Sequence, residues 1–304
     1  MPVPVTAFHT ASANFILPQL AAFSAKPPQG AGWYYERKYD GYRLQVSITG
    51  GAVRFFTRSG IDVSEKLRTL LPALEALRFK DLILDAELCD GSENDRTDLG
   101  TLNQTFHHGG PFRLYVFDVL RLDGEDVSHL PLCRRKVLLA SAIAALDGTG
   151  CVRLVPFQTA AGDALFNEMV ENRHEGIIAK RASAPYLAGK RSSDWVKVKV
   201  FQEESYSVIG WQMDPAKSIV KSLLVASHQG DQWTYRGRVG TGWTSTGRRI
   251  LLKSLEAVEC ETPYLAVPVR GQVRWTDGTR KVRVRFADIS HNGILRHPRF
   301  ISNA

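Results

Sequence analysis

Short apolar runs, five to eight residues long and interrupted by glycine, proline or acidic residues, punctuate the first two thirds of this chain at 43–47, 52–57, 82–88, 113–120, 176–180 and 194–201. Runs of that length, rich in β-branched and aromatic side chains, read as strands and are too short for core helices. Helical periodicity falls between them: at 64–77, with apolar residues at 67, 70, 71, 74 and 77 and Pro72 dividing the segment, at 134–146 and at 163–172. The chain is thereby confined to an α+β class, with a mixed, mainly antiparallel sheet system through residue 201. Beyond Phe201 the pattern changes to strands at 205–211, 222–227 and 232–239, a helix at 245–258, and strands at 272–275 and 281–289. Short strands with one helix among them predict a small β-barrel of the OB type. The break is expected at 202–205, giving domains of residues 1–202 and 203–304.

A chain of 304 residues with 44% apolar content can bury two modest cores. No stretch approaches about 18 uninterrupted apolar residues, no Lys or Arg precedes Lys26, and Pro18 breaks the first apolar segment, which predicts an unexported, cytoplasmic protein with no membrane span. Cys89, Cys133, Cys151 and Cys260 form no Cys-x-x-Cys pair, so neither a zinc ribbon nor a disulfide framework is expected. The adjacent His107 and His108 carry no metal-binding spacing and are expected on surface or loop. Net charge is +8, and residues 231–304 alone carry 13 Lys and Arg against 6 Asp and Glu. Trp233, Tyr235, Trp243, Trp275 and Phe286 are interleaved with those cations, a mixture suited to a polyanion that offers bases for packing.

The octapeptide at 36–43, Glu-Arg-Lys-Tyr-Asp-Gly-Tyr-Arg, sets Lys38 at the end of an aromatic run and before a tight turn expected at Asp40 and Gly41. An amine attacks phosphorus only as the free base, so a lysine with an ordinary pKa near 10.4 must be desolvated or set beside other cations. The segment Asp194-Trp195-Val196-Lys197-Val198-Lys199 supplies cations, because strand alternation sends Lys197 and Lys199 to one face and the valines to the core. Two lysines on one face repel unless an anion lies over them. A phosphate is such an anion, and the pair is expected to lower the pKa of Lys38. Alternation likewise puts Asp85 and Glu87 on one face and Ala86 on the other. Glu175 and Gly176 open an apolar strand, and a carboxylate oxygen there suits Mg²⁺.

The pattern Lys-x-Asp-Gly-x-Arg, followed in order by Arg58, Asp85-Ala86-Glu87, Phe117, Glu175-Gly176 and Lys197-Val198-Lys199, resembles the motif series of the covalent nucleotidyltransferases: ATP-dependent DNA ligases, RNA ligases and mRNA capping enzymes. Ala86 stands where that family commonly has glycine. Segments 15–20, 237–242 and 295–300 look like those of bacterial ATP-dependent DNA ligases of the ligase D (ligase domain) and ligase C type, so the resemblance covers nearly the whole chain. It implies a nucleotidyltransferase domain of the ATP-grasp-like ligase kind followed by an OB-fold DNA-binding domain, with ATP as co-substrate and Mg²⁺ or Mn²⁺ as the ion.

By the same resemblance Lys38 is the residue adenylated, Glu36 contacts adenine, Phe117 stacks on it and Glu87 binds the ribose. Arg43, Lys197 and Lys199 hold nucleotide phosphates, and Arg58 takes the 5′-phosphate of a nick. Glu175 and Glu87 serve the metal, while Arg296, with Arg285 or Arg299 as alternatives, meets pyrophosphate when the barrel closes. The implied partners are duplex DNA with a nick or break and a DNA end-binding protein, for a monomer working at the nucleoid. The polymerase and nuclease modules of a full ligase D have no room in 304 residues, so a stand-alone ligase is expected. An RNA ligase, a ligase of ribonucleotide-containing nicks and a non-catalytic nucleic-acid clamp of the same fold remain open alternatives.

Overall fold

The computed structural model of the protein describes residues 15–91, 99–146, 150–214, 216, 218–230, 232–263, 265–290 and 292–304. The extreme N-terminus, which carries no Lys or Arg, lies outside them. Two compact units emerge, Met1–Val200 and Phe201–Ala304. No helix among the described residues is long and apolar enough to cross a membrane.

The first unit runs β1 (Leu20–Phe23), β2 (Trp33–Arg37), β3 (Tyr42–Thr49), β4 (Ala52–Thr57), α1 (Leu71–Glu75), β5 (Asp81–Asp90), α2 (Leu99–His108), β6 (Phe112–Leu122), β7 (Glu125–Asp126), α3 (Leu132–Ile143), β8 (Val152–Leu154), β9 (Phe157–Gln158), α4 (Gly162–Glu171), β10 (Gly176–Arg181) and β11 (Arg191–Lys199). One sheet has the order β4-β3-β5-β6-β7, with β8 beside β6; the other has the order β1-β11-β10-β2-β9. Only β6 with β8 and β1 with β11 pair parallel among these ladders. Strand alternation builds the layers. Leu44, Val46, Leu82, Leu84, Ala86 and Leu88 pack on the side of α1, α2 and α3, while Tyr35, Ile177, Ala179 and Val198 pack on Leu165 and Met169 of α4. The opposite sheet faces meet in a third cluster that includes Tyr115, Phe117, Val155, Tyr186 and Trp195.

Three local expectations change. The Asp40-Gly41 segment is not a hairpin turn, because β2 and β3 belong to different sheets and residues 38–41 cross from one to the other. The crossing is pinned where Lys38 N donates to Gly176 O at 2.9 Å and Gly41 N donates to Glu87 Oε1 at 3.1 Å. Residues 202–205, expected as linker, are strand and pair with 283–286. Helix α2 was not foreseen; His107 and His108 lie in its last turn and are exposed, which fits the surface placement expected for them.

Gly41 is demanded by close approach, since a Cβ there would lie 2.1 Å from the backbone oxygen of Leu88. Gly41→Ala must push β3 off β5 beneath the crossing. Destabilisation of about 1–3 kcal/mol is expected, read as a lower urea midpoint at unchanged slope.

The second unit runs β12 (Gln202–Asp214), β13 (Ile219–Gln229), β14 (Gln232–Val239), α5 (Ser245–Glu256), β15 (Glu259–Cys260), β16 (Arg274–Thr276), β17 (Lys281–Phe286), β18 (Asp288–Ile289), β19 (Leu295–Arg296) and β20 (Arg299–Asn303). The long β12 has β13 on one side and β16 and β17 in succession on the other, which curls the antiparallel sheet into an open OB-type barrel. Val208, Trp211, Leu223, Val284 and Phe286 fill it against Leu251 and Leu255 of α5. Thr244 caps that helix by accepting from Gly247 N at 3.0 Å. Alternation along β17 buries Val282, Val284 and Phe286 and exposes Lys281, Arg283 and Arg285, so part of the basic excess forms one outward stripe.

Candidate active site

A cavity of about 900 Å³ opens in the first unit, walled by both sheets and α2. Part of its lining is aromatic and apolar: Phe117, Val155, Ile178 and Trp195. Phe117 reaches it through a bulge, because Val116 pairs with Ala86 and Asp118 with Asp85, leaving Phe117 as the extra residue of β6. Trp195 arrives by alternation with Lys197, and the two rings meet edge to face at 6.1 Å.

Beneath those rings lies a buried charge cluster. Lys180 Nζ sits 4.2 Å from the centres of both Phe117 and Trp195. It is also 2.6 Å from Glu36 Oε2, while Lys136 Nζ of α3 is 2.5 Å from Glu36 Oε1. Burial pushes the Lys180 ammonium down to about 8, with Glu36 opposing and Lys136 adding to the fall.

Cations form another part of the lining, with Lys38, Arg58, Arg191 and Lys197 all present. Lys38 Nζ donates to Glu175 Oε2, and Lys199 Nζ lies 2.7 Å from Glu175 Oε1. Glu175 thus bridges Lys38 and Lys199 and is an anion beside the face that Lys199 shares with Lys197. Lys197 is less well compensated: burial, then Arg191, Lys199 and Lys38, lower its pKa, and Glu175 offsets only part of that fall.

The expected fall in the pKa of Lys38 does not occur here. Burial lowers it, but the charges of Glu175 and Glu87 more than offset that, so Lys38 is held as an ammonium. Lys197 and Lys199 were counted as the dominant neighbours, whereas the carboxylate bridging Lys38 to Lys199 decides the sign.

Glu87 lines the cavity, facing Lys38 and accepting from Gly41 N. Its carboxyl is pushed up to about 7, first by burial and also by Glu175, against the pull of Lys38 and Arg43. The linkage has a definite sign. Between the ordinary value of about 4.3 and about 7, the folded protein binds a proton that the unfolded chain has lost, so this group lowers stability as pH rises through that window. Glu87→Gln, which keeps the acceptor for Gly41, is expected to flatten that slope and to leave the protein at least as stable as the parent at pH about 8. Thermal midpoints across pH check it.

Arg43 faces the cavity but gives Nε and Nη2 to Asp85 at 2.8 and 2.6 Å, with Tyr186 also donating to Asp85 at 2.6 Å. Its guanidinium lies over Phe117 and Trp195 at 5.0 and 5.5 Å. The phosphate role expected for Arg43 therefore competes with a buried carboxylate. Arg58 stands exposed on the loop after β4. Arg296 belongs to β19 of the second unit, where its backbone pairs with Asp288.

Sequence reading brings Lys38, Glu36, Arg43, Arg58, Glu87, Phe117 and Lys197 to one cavity, with Glu175 and Lys199 bonded to it through Lys38 and each other. It missed Lys136, Lys180 and Trp195, and also Asn103, Phe106 and His107 of α2, which line the same cavity. The signal for Lys180 and Trp195 was present, since alternation aligns them with Ile178 and Lys197. Nothing local marks Lys136.

Comparison with known proteins identifies the family. The ATP dependent DNA ligase domain family matches residues 12–199, and the ATP dependent DNA ligase C terminal region matches residues 216–303. The multifunctional non-homologous end joining protein LigD of Pseudomonas aeruginosa is 32% identical over 94% of the chain, but the chain spans only 35% of that relative. Among solved structures, the ligase domain of M. tuberculosis LigD superposes with a TM-score of 0.59 at 24% identity, covering 95% of each chain, and supports the fold. A mycobacterial DNA ligase D complexed with ATP and MES gives 0.57 at 25% identity, again covering 95% of each.

Proposed function

The chain belongs to the ATP-dependent DNA ligases, and from that premise we propose that it seals nicks or breaks in duplex DNA through a lysyl-AMP intermediate on Lys38. The observation that carries the reading is the placement of Lys38 in one cavity with an aromatic lining and a cationic one, tied through Glu175 to Lys199. A base suits the aromatic part and phosphates the cationic part.

In the proposed reaction Lys38 gives up a proton, for which Glu175 Oε2 is the bonded acceptor, and its amine attacks the α-phosphorus of ATP. The phosphorus–nitrogen bond forms and the bond to the bridging oxygen breaks, so pyrophosphate departs. A 5′-phosphate oxygen of the nick then displaces Lys38 from AMP. Finally the 3′-hydroxyl attacks that activated phosphate and releases AMP.

Glu36 and Phe117 serve adenine and Glu87 the ribose. Lys197, Lys199 and the cavity face of Arg43 serve the phosphates, Arg58 serves the nick's 5′-phosphate, and Arg296 the pyrophosphate. Among the described residues no cluster of three or more His, Cys, Asp or Glu could hold a resident metal. An ion entering with the nucleotide fits better, because Mg²⁺ needs few carboxylates when phosphates and water complete its shell. Glu175 and Glu87 would hold Mg²⁺ or Mn²⁺, and the pressure of Glu175 on Glu87 is one that a cation relieves. Such an ion neutralises charge on the phosphate oxygens.

The end-joining role of the LigD relative favours repair or end joining as the setting. Nicked or broken duplex DNA is then the partner, a DNA end-binding protein the recruiter, and a monomer at the nucleoid the working form. The test uses ATP labelled at the α-phosphate, with nicked DNA and ribonucleotide-containing duplexes as acceptors. Label should join the protein, leave on addition of nicked DNA, and yield a sealed strand. No adduct with any nucleotide would sink the enzyme reading in favour of a clamp, and sealing confined to ribonucleotide nicks would point to the RNA-type alternative.

A further inference from the structure

Glu36 is 2% exposed, yet it carries two ammonium groups, one on each oxygen. The two lysines are differently placed. Lys180 lies on β10 and lines the cavity, whereas Lys136 comes from α3, is 4% exposed and is not among the described lining residues. Lys136 therefore reaches a nucleotide only through Glu36. Burying a lysine costs free energy that an ordinary core helix avoids by placing an apolar residue there. Here Lys136 follows Arg135, itself fully buried on Asp118, so α3 inserts two cations in succession behind the aromatic wall.

What the pair Glu36 and Lys180 presents to the cavity is an acceptor beside a donor. The two contacts are ion pairs in which Glu36 Oε1, Lys136 Nζ and Lys180 Nζ make no hydrogen bond among the described residues, so Glu36 can still accept from an exocyclic amine and the Lys180 ammonium can donate to a ring nitrogen. The Watson–Crick edge of adenine offers that amine and that acceptor nitrogen. A 6-oxo purine reverses both: its carbonyl meets the carboxylate and its ring N–H meets the ammonium.

We propose that Lys136 is a positioning residue that sets 6-amino over 6-oxo purine selectivity, by clamping one oxygen of Glu36 so that the other side of the carboxylate faces the base. The inference rests on reading the cavity as the ATP site. Without Lys136 the Glu36 carboxylate turns fully onto Lys180 and takes the donor away from the base as well, so the two recognition groups fail together.

The experiment measures protein–nucleotide adduct formation on the full chain with ATP and with inosine triphosphate, for wild type, Lys136→Met, Lys136→Gln and Lys136→Arg, each shown to be folded by circular dichroism. Lys136→Met should raise KM for ATP about tenfold, change kcat by less than about threefold and leave KM for inosine triphosphate nearly unchanged, so that selectivity falls about tenfold. Lys136→Gln keeps a donor without the charge, should fall between, and carries the test if the methionine variant does not fold. Lys136→Arg should restore most of the selectivity. Equal losses with both nucleotides in a folded variant, or unchanged selectivity, overturn the proposal while leaving the ligase reading intact. Absence of any adduct in the wild type overturns the ligase reading itself, and the inference with it.

Discussion

Lys38→Ala should form no detectable nucleotide adduct and should seal nicked DNA from ATP at least about 10⁴-fold more slowly than wild type, because Lys38 is the group proposed to carry AMP between the two phosphates. The fold should survive. Lys38 is 20% exposed, and its partner Glu175 keeps Lys199 at 2.7 Å, so no buried charge is stranded. Lys38→Arg should fail as completely, since a guanidinium stays protonated at any working pH and its planar head is no nucleophile. The step after lysine chemistry gives the internal control. A nick whose 5′-phosphate already bears AMP needs only attack by the 3′-hydroxyl, and Lys38→Ala should still seal it. Sealing of ordinary nicks from ATP by the alanine variant would place the nucleophile elsewhere. Loss of the pre-adenylated reaction as well would show that Lys38 does more than carry AMP.

The rise in pKa at Lys38 adds a condition to this result. Since Glu175 and Glu87 hold it as an ammonium, adduct formation should quicken as pH rises above neutrality. Glu175 must loosen its hold before the amine is nucleophilic, which is why the same carboxylate is assigned both the proton and a share of the ion.

Much of this was legible in the sequence because strand alternation is a short-range rule. Lys197 and Lys199 against Val196 and Val198, or Asp85 and Glu87 against Ala86, need no knowledge of the rest of the chain. The strands at 52–57 and 232–239 and the helix opening at Ser245 were likewise fixed by their own composition. What escaped was set by partners distant in sequence. Asp40-Gly41 carries hairpin chemistry, yet the chain crosses between sheets because β2 finds β10 and β9 as neighbours, and Gly41 answers to Leu88 rather than to a turn. The bulge that turns Phe117 towards the cavity appears only in its pairing with β5. Lys136 looks like one more basic residue on an amphipathic helix until Glu36, a hundred residues earlier, is placed against it. In α2, Leu99, Leu102 and Phe106 do keep a helical spacing, but ten residues ending in His-His and followed by Gly-Gly resemble a loop.

Asp118→Ala is expected to cost about 3–5 kcal/mol of stability, the largest loss foreseen for a single substitution away from the cavity lining. Asp118 and Arg135 are both 0% exposed and joined by two parallel bonds, Nε to Oδ1 and Nη2 to Oδ2, each 2.8 Å. Arg135 Nη1 also donates to the backbone oxygens of Leu130 and Ala184, at 2.5 and 3.2 Å, so its guanidinium ties α3 to β6 and to the segment after β10. Removing the carboxylate strands a fully buried cation that cannot shed its proton. Removing both charges is a different matter. Asp118→Leu combined with Arg135→Met replaces the pair by apolar groups, and its loss should be smaller than that of Asp118→Ala alone, because desolvating two ions offsets most of what their attraction returns. Urea unfolding of the two variants decides the point. A double variant less stable than the single one would show that the backbone bonds of Arg135 matter more than its charge. In that case the guanidinium acts as the tie between α3 and the sheets that holds Lys136 against Glu36, and the buried ion pair is secondary to it.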